Sequence, residues 1–259
     1  MHRTEQPPRH PGGSASSSAQ VESALFSTPA LDGEHALFGP IHYESGYAYP
    51  LLVWLHGLGG NERQLLHVMP QISLRNFVAV APRATHEFDV PPREDAKDQG
   101  HRATGTKVFG WDHSAAGHNE AQQRVFDSVD AANKKYHIHP KRVFLVGCGD
   151  GGTTAFRLAL DHPSQFAGVV SIDGEFPRGD APLRNVQRAR SLPLFLLVGR
   201  ESHRYTDHRL REDLQLLFTA GMAISLRQYP GDGKISPDML TAIDRWVMEQ
   251  VIAAPRRSV

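Results

Sequence analysis

Short apolar runs that alternate with amphipathic stretches are the feature that most constrains the fold of this chain. Residues 50–57, PLLVWLHG, form a nearly continuous apolar run of strand length, which is typical of a strand buried on both faces of a sheet. Further strands are predicted on the same grounds at residues 76–82, 142–147, 167–173, 192–199 and 223–229. Helical stretches separate these runs, so we predict an α/β fold with a mostly parallel central sheet and helices on both faces.

The helices are predicted from the spacing of apolar residues and from residues typical of helix ends. From Asn119 to Tyr136 the apolar residues recur on one helical face. Ser236 and Pro237 are typical of the N-cap and first position of a final helix. The other predicted helices cover residues 61–68, 152–161 and 210–217.

The domain organisation follows from where apolar residues are scarce. Residues 1–20 are rich in Ser, Pro and Gly and cannot bury enough surface to offset their ordering entropy, so they are predicted to be a disordered tail. Residues 21–259 are predicted to form one domain. Antiparallel strands are predicted near residues 23–27 and 35–43, and the polar stretch 83–107 is predicted to be a long loop or insertion.

Composition and the lengths of the apolar runs indicate which partners and which location to expect for the protein. Lys+Arg and Asp+Glu both number 28, so charge provides no basis for binding nucleic acid or an anionic membrane. The apolar runs are far shorter than a membrane span, and the first twenty residues have no apolar region of a secretory signal. Cys148 is the one cysteine and can form no intrachain disulfide. We therefore expect a cytoplasmic protein without a membrane span or a nucleic-acid partner.

Three segments carry a resemblance to a known family. They read LLVWLHGLGGNE, RVFLVGCGDGGTTAFRLALDHPSQFAGVVSIDGEFP and YPGDGKISPDML. Together they resemble the phospholipase/carboxylesterase branch of the α/β-hydrolase superfamily, over residues 48–252. The resemblance implies the α/β-hydrolase fold and the hydrolysis of carboxylic esters without a cofactor.

The catalytic triad of that family is substituted at all three positions. Esterase chemistry of this type needs a serine at the centre of a Gly-x-Ser-x-Gly turn, beside backbone N–H groups that stabilise the oxyanion. In this chain the centre of the turn is Gly149, which has no side chain to attack a carbonyl. The resemblance puts the acid at Ser202 and the base at or beside Lys234, and no histidine follows His208. We therefore expect no triad catalysis.

The oxyanion loop, in contrast, resembles that of the family. It begins at His56 and runs through Gly57, Leu58 and Gly59, and the resemblance pairs the backbone N–H of Leu58 with that of Asp150. Two N–H groups of this kind can bind a carboxylate or carbonyl oxygen without turning it over. The alternative is that the glycines only close a strand-to-helix turn.

The expected pocket contains these loop residues and two further side chains. His56, Gly57 and Gly59 belong to the loop, Cys148 precedes the substituted nucleophile, and Trp111 resembles part of a wall of the family's pocket.

A few other side chains could serve catalysis, but each has a plainer interpretation. Cys148 could act as a displaced nucleophile, but one residue before the turn it is expected to point into the core as an inert thiol. Ser202 and Lys234 could form a Ser-Lys pair if the lysine were neutral, and Glu201 could replace the missing acid. The fifteen histidines show no ligand spacing, so no metal site and no cofactor is expected.

The leading hypothesis is a non-catalytic homologue of carboxylesterase/phospholipase-type hydrolases that serves in binding or interaction. Its partner would be a small carboxylate or ester, or another protein. The alternative is a carboxylic ester hydrolase that uses non-standard catalytic residues.

Overall fold

The protein has nine strands and six helices in the part described by a computed structural model, which covers residues 34–90, 106–179 and 181–253. The strands are β1 His35–Phe38, β2 Tyr49–Leu55, β3 Val78–Pro82, β4 His86–Val90, β5 Thr106–Gly110, β6 Ile138–Cys148, β7 Gly168–Ile172, β8 Leu194–Gly199 and β9 Ile224–Tyr229. The helices are α1 Gln64–Ile72, α2 Ala115–Lys135, α3 Asp150–Asp161, α4 Val186–Ala189, α5 Asp207–Thr219 and α6 Pro237–Ala253. Every strand predicted from a long apolar run is present.

Seven of these strands form one central sheet in the order β1-β3-β2-β6-β7-β8-β9. β1 is antiparallel to β3, and the other neighbouring pairs are parallel. Along β2, Leu51, Val53 and Leu55 pack into one apolar layer, whereas Leu52 and Trp54 pack into the other. Both faces of this strand are therefore buried, as its apolar composition predicts, and the α/β fold class is confirmed.

Helix ends show how local signals position the elements around the site. Ser114 caps α2 by accepting a hydrogen bond from the Gly117 N–H at 3.1 Å, so this helix begins before the predicted Asn119. Ser236 accepts from the Met239 N–H at 3.3 Å in front of α6, as predicted. Capping of this kind satisfies backbone donors that have no partner within the helix.

The prediction of a loop over residues 83–107 is wrong at both of its ends. β4 and β5 form an antiparallel two-stranded sheet of their own, and a bridge between Gly60 and Phe109 ties this sheet to the loop after β2. The pairing partners stabilise these strands. Residues 87–90 alternate polar and apolar side chains, but this run is short and borders a polar stretch with two prolines, so the strand signal is weak.

At the amino-terminal end, one predicted strand is shorter in the structure, and two predicted features fall outside the described residues. β1 ends at Phe38, so the strand predicted over residues 35–43 is shorter than expected. The predicted tail 1–20 and the strand near 23–27 lie outside the described residues. No helix in the described ranges combines the length and apolar character needed to cross a bilayer.

Candidate functional site

The turn from β6 into α3 keeps the backbone shape of a nucleophile turn although its central residue is Gly149. This residue has φ 51° and ψ −121°, a conformation that side-chain-bearing residues adopt only with strain. Its N–H donates to the carbonyl of Ile172 at 2.8 Å, which ties the turn to β7. The turn is therefore held in a backbone conformation that favours glycine at position 149.

Arg204 occupies the space in which a side chain at the turn would lie. A Cβ atom added to Gly149 would be 3.1 Å from Nη1 of Arg204. The guanidinium forms an ion pair with Asp150 in the first turn of α3, and that hydrogen bond raises the pKa of Arg204. A permanent cation therefore lies beside the turn at Gly149.

Two backbone donors, one in the loop after β2 and one at the start of α3, have no hydrogen bond to the described residues. The Gly59 N–H donates to Phe109 and the Gly60 N–H to Gly57, each at 3.0 Å. Among the residues described, no hydrogen bond engages the N–H of Leu58 or of Asp150. These are the two donors that the resemblance assigns to the oxyanion.

The buried side chains of His56 and Trp111 hold this loop by hydrogen bonds. The Ala84 N–H donates to Nε2 of His56 at 3.1 Å, so the proton lies on Nδ1, which donates to the Gly57 carbonyl at 2.9 Å. Burial lowers the pKa of His56, which favours the neutral ring. Trp111 donates from Nε1 to the His56 carbonyl at 2.8 Å. Both side chains are buried, so their role is to position the loop.

A cavity of about 490 Å³, the elbow cavity, lies above this turn. Gly57, Leu58, Cys148 and Gly149 line it, as does Arg204, so several of the predicted pocket residues meet here.

The Cys148 thiol is held in a buried, largely apolar setting at the base of this cavity. Its Sγ lies 3.9 Å from the Leu55 carbonyl and 3.8 Å from Oε1 of Gln64. Burial raises the pKa of the Cys148 thiol to about 12, so the reactive thiolate is scarce at neutral pH. This geometry favours the inert thiol over the displaced nucleophile.

Asp173, which no sequence pattern singled out, lies beside Ser202, the position at which the resemblance puts the acid. Ser202 Oγ donates to its Oδ2 at 2.6 Å, and the Gly199 N–H donates to its Oδ1 at 3.3 Å. Asp173 is only 6% exposed and has φ 52°. Burial raises its pKa, and the bond from Ser202 opposes that rise. Asp173 directly follows β7, and in parallel sheets residues at the carboxyl ends of strands line ligand sites, so its position was a usable signal.

Lys234 does not contact Ser202. Its Nζ pairs with Asp232 at 2.6 Å in an exposed position, and that hydrogen bond raises the pKa of Lys234. Ser202 instead bonds to Asp173. A Cβ atom at Gly233 would collide with the Asp173 carboxylate, so Asp173 fills the space beside the segment in which the family's base is expected.

A second cavity of about 540 Å³, the side cavity, adjoins the turn. Its charged lining residues include Arg157, Glu175 and Arg178, and it shares Arg204 with the elbow cavity. Within residues 34–90, 106–179 and 181–253, no three His, Cys, Asp or Glu side chains form a group that could hold a metal ion.

The parallel sheet, the strand-turn-helix at Gly149 and the loop at Leu58 define a protein of the α/β-hydrolase fold. The chain belongs to the phospholipase/carboxylesterase family, whose model matches residues 41–249.

Solved structures share the fold at low sequence identity. A carboxylesterase from Mesorhizobium loti is 18% identical, with a TM-score of 0.63 over 88% of this chain and 99% of that one. The Bacillus cereus carboxylesterase is 16% identical, with a TM-score of 0.61 over 85% of this chain and 95% of that one. A Nocardia uniformis subsp. tsuyamanensis protein named "Putative esterase NocK" is 39% identical over 71 residues, which are 27% of this chain and 20% of that protein. The chain thus matches about a fifth of the length of that relative.

Proposed function

We propose that this member of a carboxylesterase-type hydrolase family is non-catalytic and binds a small carboxylate or ester in the elbow cavity. The observation that supports this most is the position of Arg204 beside Gly149. A guanidinium cannot act as a nucleophile or accept a proton at neutral pH, whereas it binds carboxylate oxygens well. On this proposal the site has no nucleophile and carries a guanidinium that binds an anion.

The ligand's oxygen would meet three donors. The N–H groups of Leu58 and Asp150 have no partner among the described residues, and preorganised donors of this kind stabilise negative charge on oxygen. The guanidinium of Arg204 adds further N–H donors beside the same turn. The Asp150 carboxylate pairs with Arg204. The negative charge of Asp150 is therefore compensated and repels a bound anion less.

Two assays on the full chain test the proposal. Hydrolysis of p-nitrophenyl acetate and butyrate, with labelling by a fluorophosphonate serine probe, measures catalysis. We expect no stoichiometric labelling and no triad-level turnover, because an attacking group and a base are both missing. Rapid hydrolysis with a trapped acyl adduct would instead favour the ester hydrolase with non-standard residues.

Binding is measured by thermal stabilisation with acetate, butyrate and methyl butyrate against sodium chloride at equal ionic strength. A ligand that binds only the native state raises the melting temperature. Arg204→Gln should abolish the stabilisation by carboxylates. Arg200→Gln is the matched control, because Arg200 is exposed and does not line the elbow cavity. If no carboxylate or ester stabilises the protein, we would favour a protein partner, and deletion within residues 83–107 becomes the next test.

A further inference from the structure

Asp173 is a buried carboxylate that lines the elbow cavity and has no ion pair with any residue in the described ranges. Its two hydrogen-bond donors are the Ser202 hydroxyl and the Gly199 N–H. An ionised carboxylate has about four acceptor sites, so part of its capacity is unused. Buried charges in proteins are ordinarily paired, because leaving water without a counter-charge is costly. Within the described ranges, Asp173 therefore has no counter-charge in direct contact.

Among the described residues, the two cations that line the same cavity, Arg204 and Lys234, form no ion pair with Asp173. Arg204 forms its ion pair with Asp150, and Lys234 forms its ion pair with Asp232. Arg204 acts on Asp173 only at longer range, and Asp232 opposes that effect. Neither cation contacts Asp173 directly, so a positively charged group of a bound ligand would complete the contacts that the described residues leave open.

The backbone at Asp173 supports a functional role. Its φ of 52° lies in the left-handed region, where a residue with a side chain is held by its surroundings, and such residues concentrate at ligand sites. The Asp173 N–H donates to the Leu197 carbonyl at 2.8 Å, which fixes the main chain. Gly233 has no side chain to displace the carboxylate. The surroundings therefore hold Asp173 at the cavity wall.

We propose that the elbow cavity binds a zwitterionic amino-carboxylate. Its carboxylate lies at Arg204 and the N–H groups of Leu58 and Asp150, and its ammonium group lies on Asp173. The carboxylate half of this assignment rests on the proposed function, whereas the ammonium half rests on Asp173. A ligand with both charges would account for a cavity that is lined by Arg204 and by a buried acid.

The test compares ligands that differ only in the ammonium group. β-Alanine, 4-aminobutyrate and 5-aminovalerate are titrated into the full chain by calorimetry, each against propionate, butyrate or valerate, and n-butylamine provides the amine alone. We expect at least one amino acid to bind more tightly than its deaminated acid by about tenfold or more, because hydrogen bonds between charged groups are strong enough for this difference. n-Butylamine alone should bind more weakly than that amino acid.

Asp173→Asn should remove the preference for the amino acid while carboxylate binding persists. Asp232→Asn is the matched control, since it makes the same charge change at the same cavity on a carboxylate that already has an ion pair. The melting temperature of each unliganded variant shows whether it is folded. Asn can still accept the Ser202 hydrogen bond, so we expect folded protein.

The outcomes separate the two proposals. The zwitterion assignment is overturned, and the proposed function stays intact, if the acids bind as tightly as the amino acids. The same holds if the preference for the amino acids survives Asp173→Asn. A preference lost in Asp232→Asn and kept in Asp173→Asn also overturns it. If neither series binds the wild-type protein, the proposed carboxylate-binding function itself fails.

Discussion

Replacing Gly149 with serine should destabilise the protein without creating an esterase. At φ 51° and ψ −121°, a residue with a side chain pays a backbone strain of roughly 1–3 kcal/mol. For a domain of this size each kcal/mol lowers the melting temperature by about 2–4 °C, so we expect a decrease of roughly 2–12 °C. The new Cβ would lie 3.1 Å from Arg204 Nη1, and because Arg204 is partly exposed and flexible, it can move aside at small additional cost.

The expected catalytic gain is negligible because the members of a triad act as a unit. Loss of the nucleophile or of the base alone costs about as much as loss of the whole triad, on the order of 10⁶-fold in kcat. Serine at position 149 would still have no base, since Lys234 pairs with Asp232 at the surface. We therefore expect the rate at which Gly149→Ser hydrolyses p-nitrophenyl butyrate to exceed the wild-type rate by no more than about tenfold.

The controls separate strain from crowding. Gly179→Ser also puts a side chain at a positive φ, 73°, with nothing within 4 Å of the new Cβ, so it reports strain in open space. Arg204→Ala combined with Gly149→Ser tests the contact, because a smaller loss in the double variant than the sum of the single losses would reveal coupling. Stoichiometric fluorophosphonate labelling of Gly149→Ser alone, with rapid turnover, would refute the reasoning.

Further substitutions test individual groups of the site. His56→Ala leaves the buried Ala84 N–H without its acceptor and should lower the free energy of unfolding in urea by roughly 1–3 kcal/mol; an unchanged midpoint would contradict the positioning role. Burial raises the folded-state pKa of Asp173, so its ionisation weakens the native state as pH rises through that raised pKa. Asp173→Asn should therefore raise the melting temperature more at pH 8 than at pH 4, and a constant difference would contradict the pKa shift. Cys148, buried with a pKa raised to about 12, should react with Ellman's reagent only after unfolding, and rapid reaction of the native protein would show an accessible thiolate. Lys234→Ala, which removes an exposed ion pair, should leave the melting temperature unchanged within error.

The parts of the fold that were predictable have local causes. Residues 50–57 and 192–199 are apolar because each strand is buried on both faces, so composition alone indicates a central strand. Ser236 and Pro237 identified the start of α6 because capping acts within one turn of helix. β4 and β5 gave only a weak signal, since their stability depends on pairing with each other and on the bridge from Phe109 to Gly60.

The sequence by itself determined which groups this site can contain. It has no serine at position 149 and no histidine after His208, and absent atoms cannot be supplied by folding. Only the tertiary structure decided which side chains lie near Gly149 instead. Arg204 and Asp173 are 55 and 24 residues away from Gly149 in the sequence (204 − 149 and 173 − 149). They reach the same cavity because β6, β7 and β8 lie side by side and parallel in the sheet. Such proximity is a property of sheet order and chain path, which no local pattern encodes.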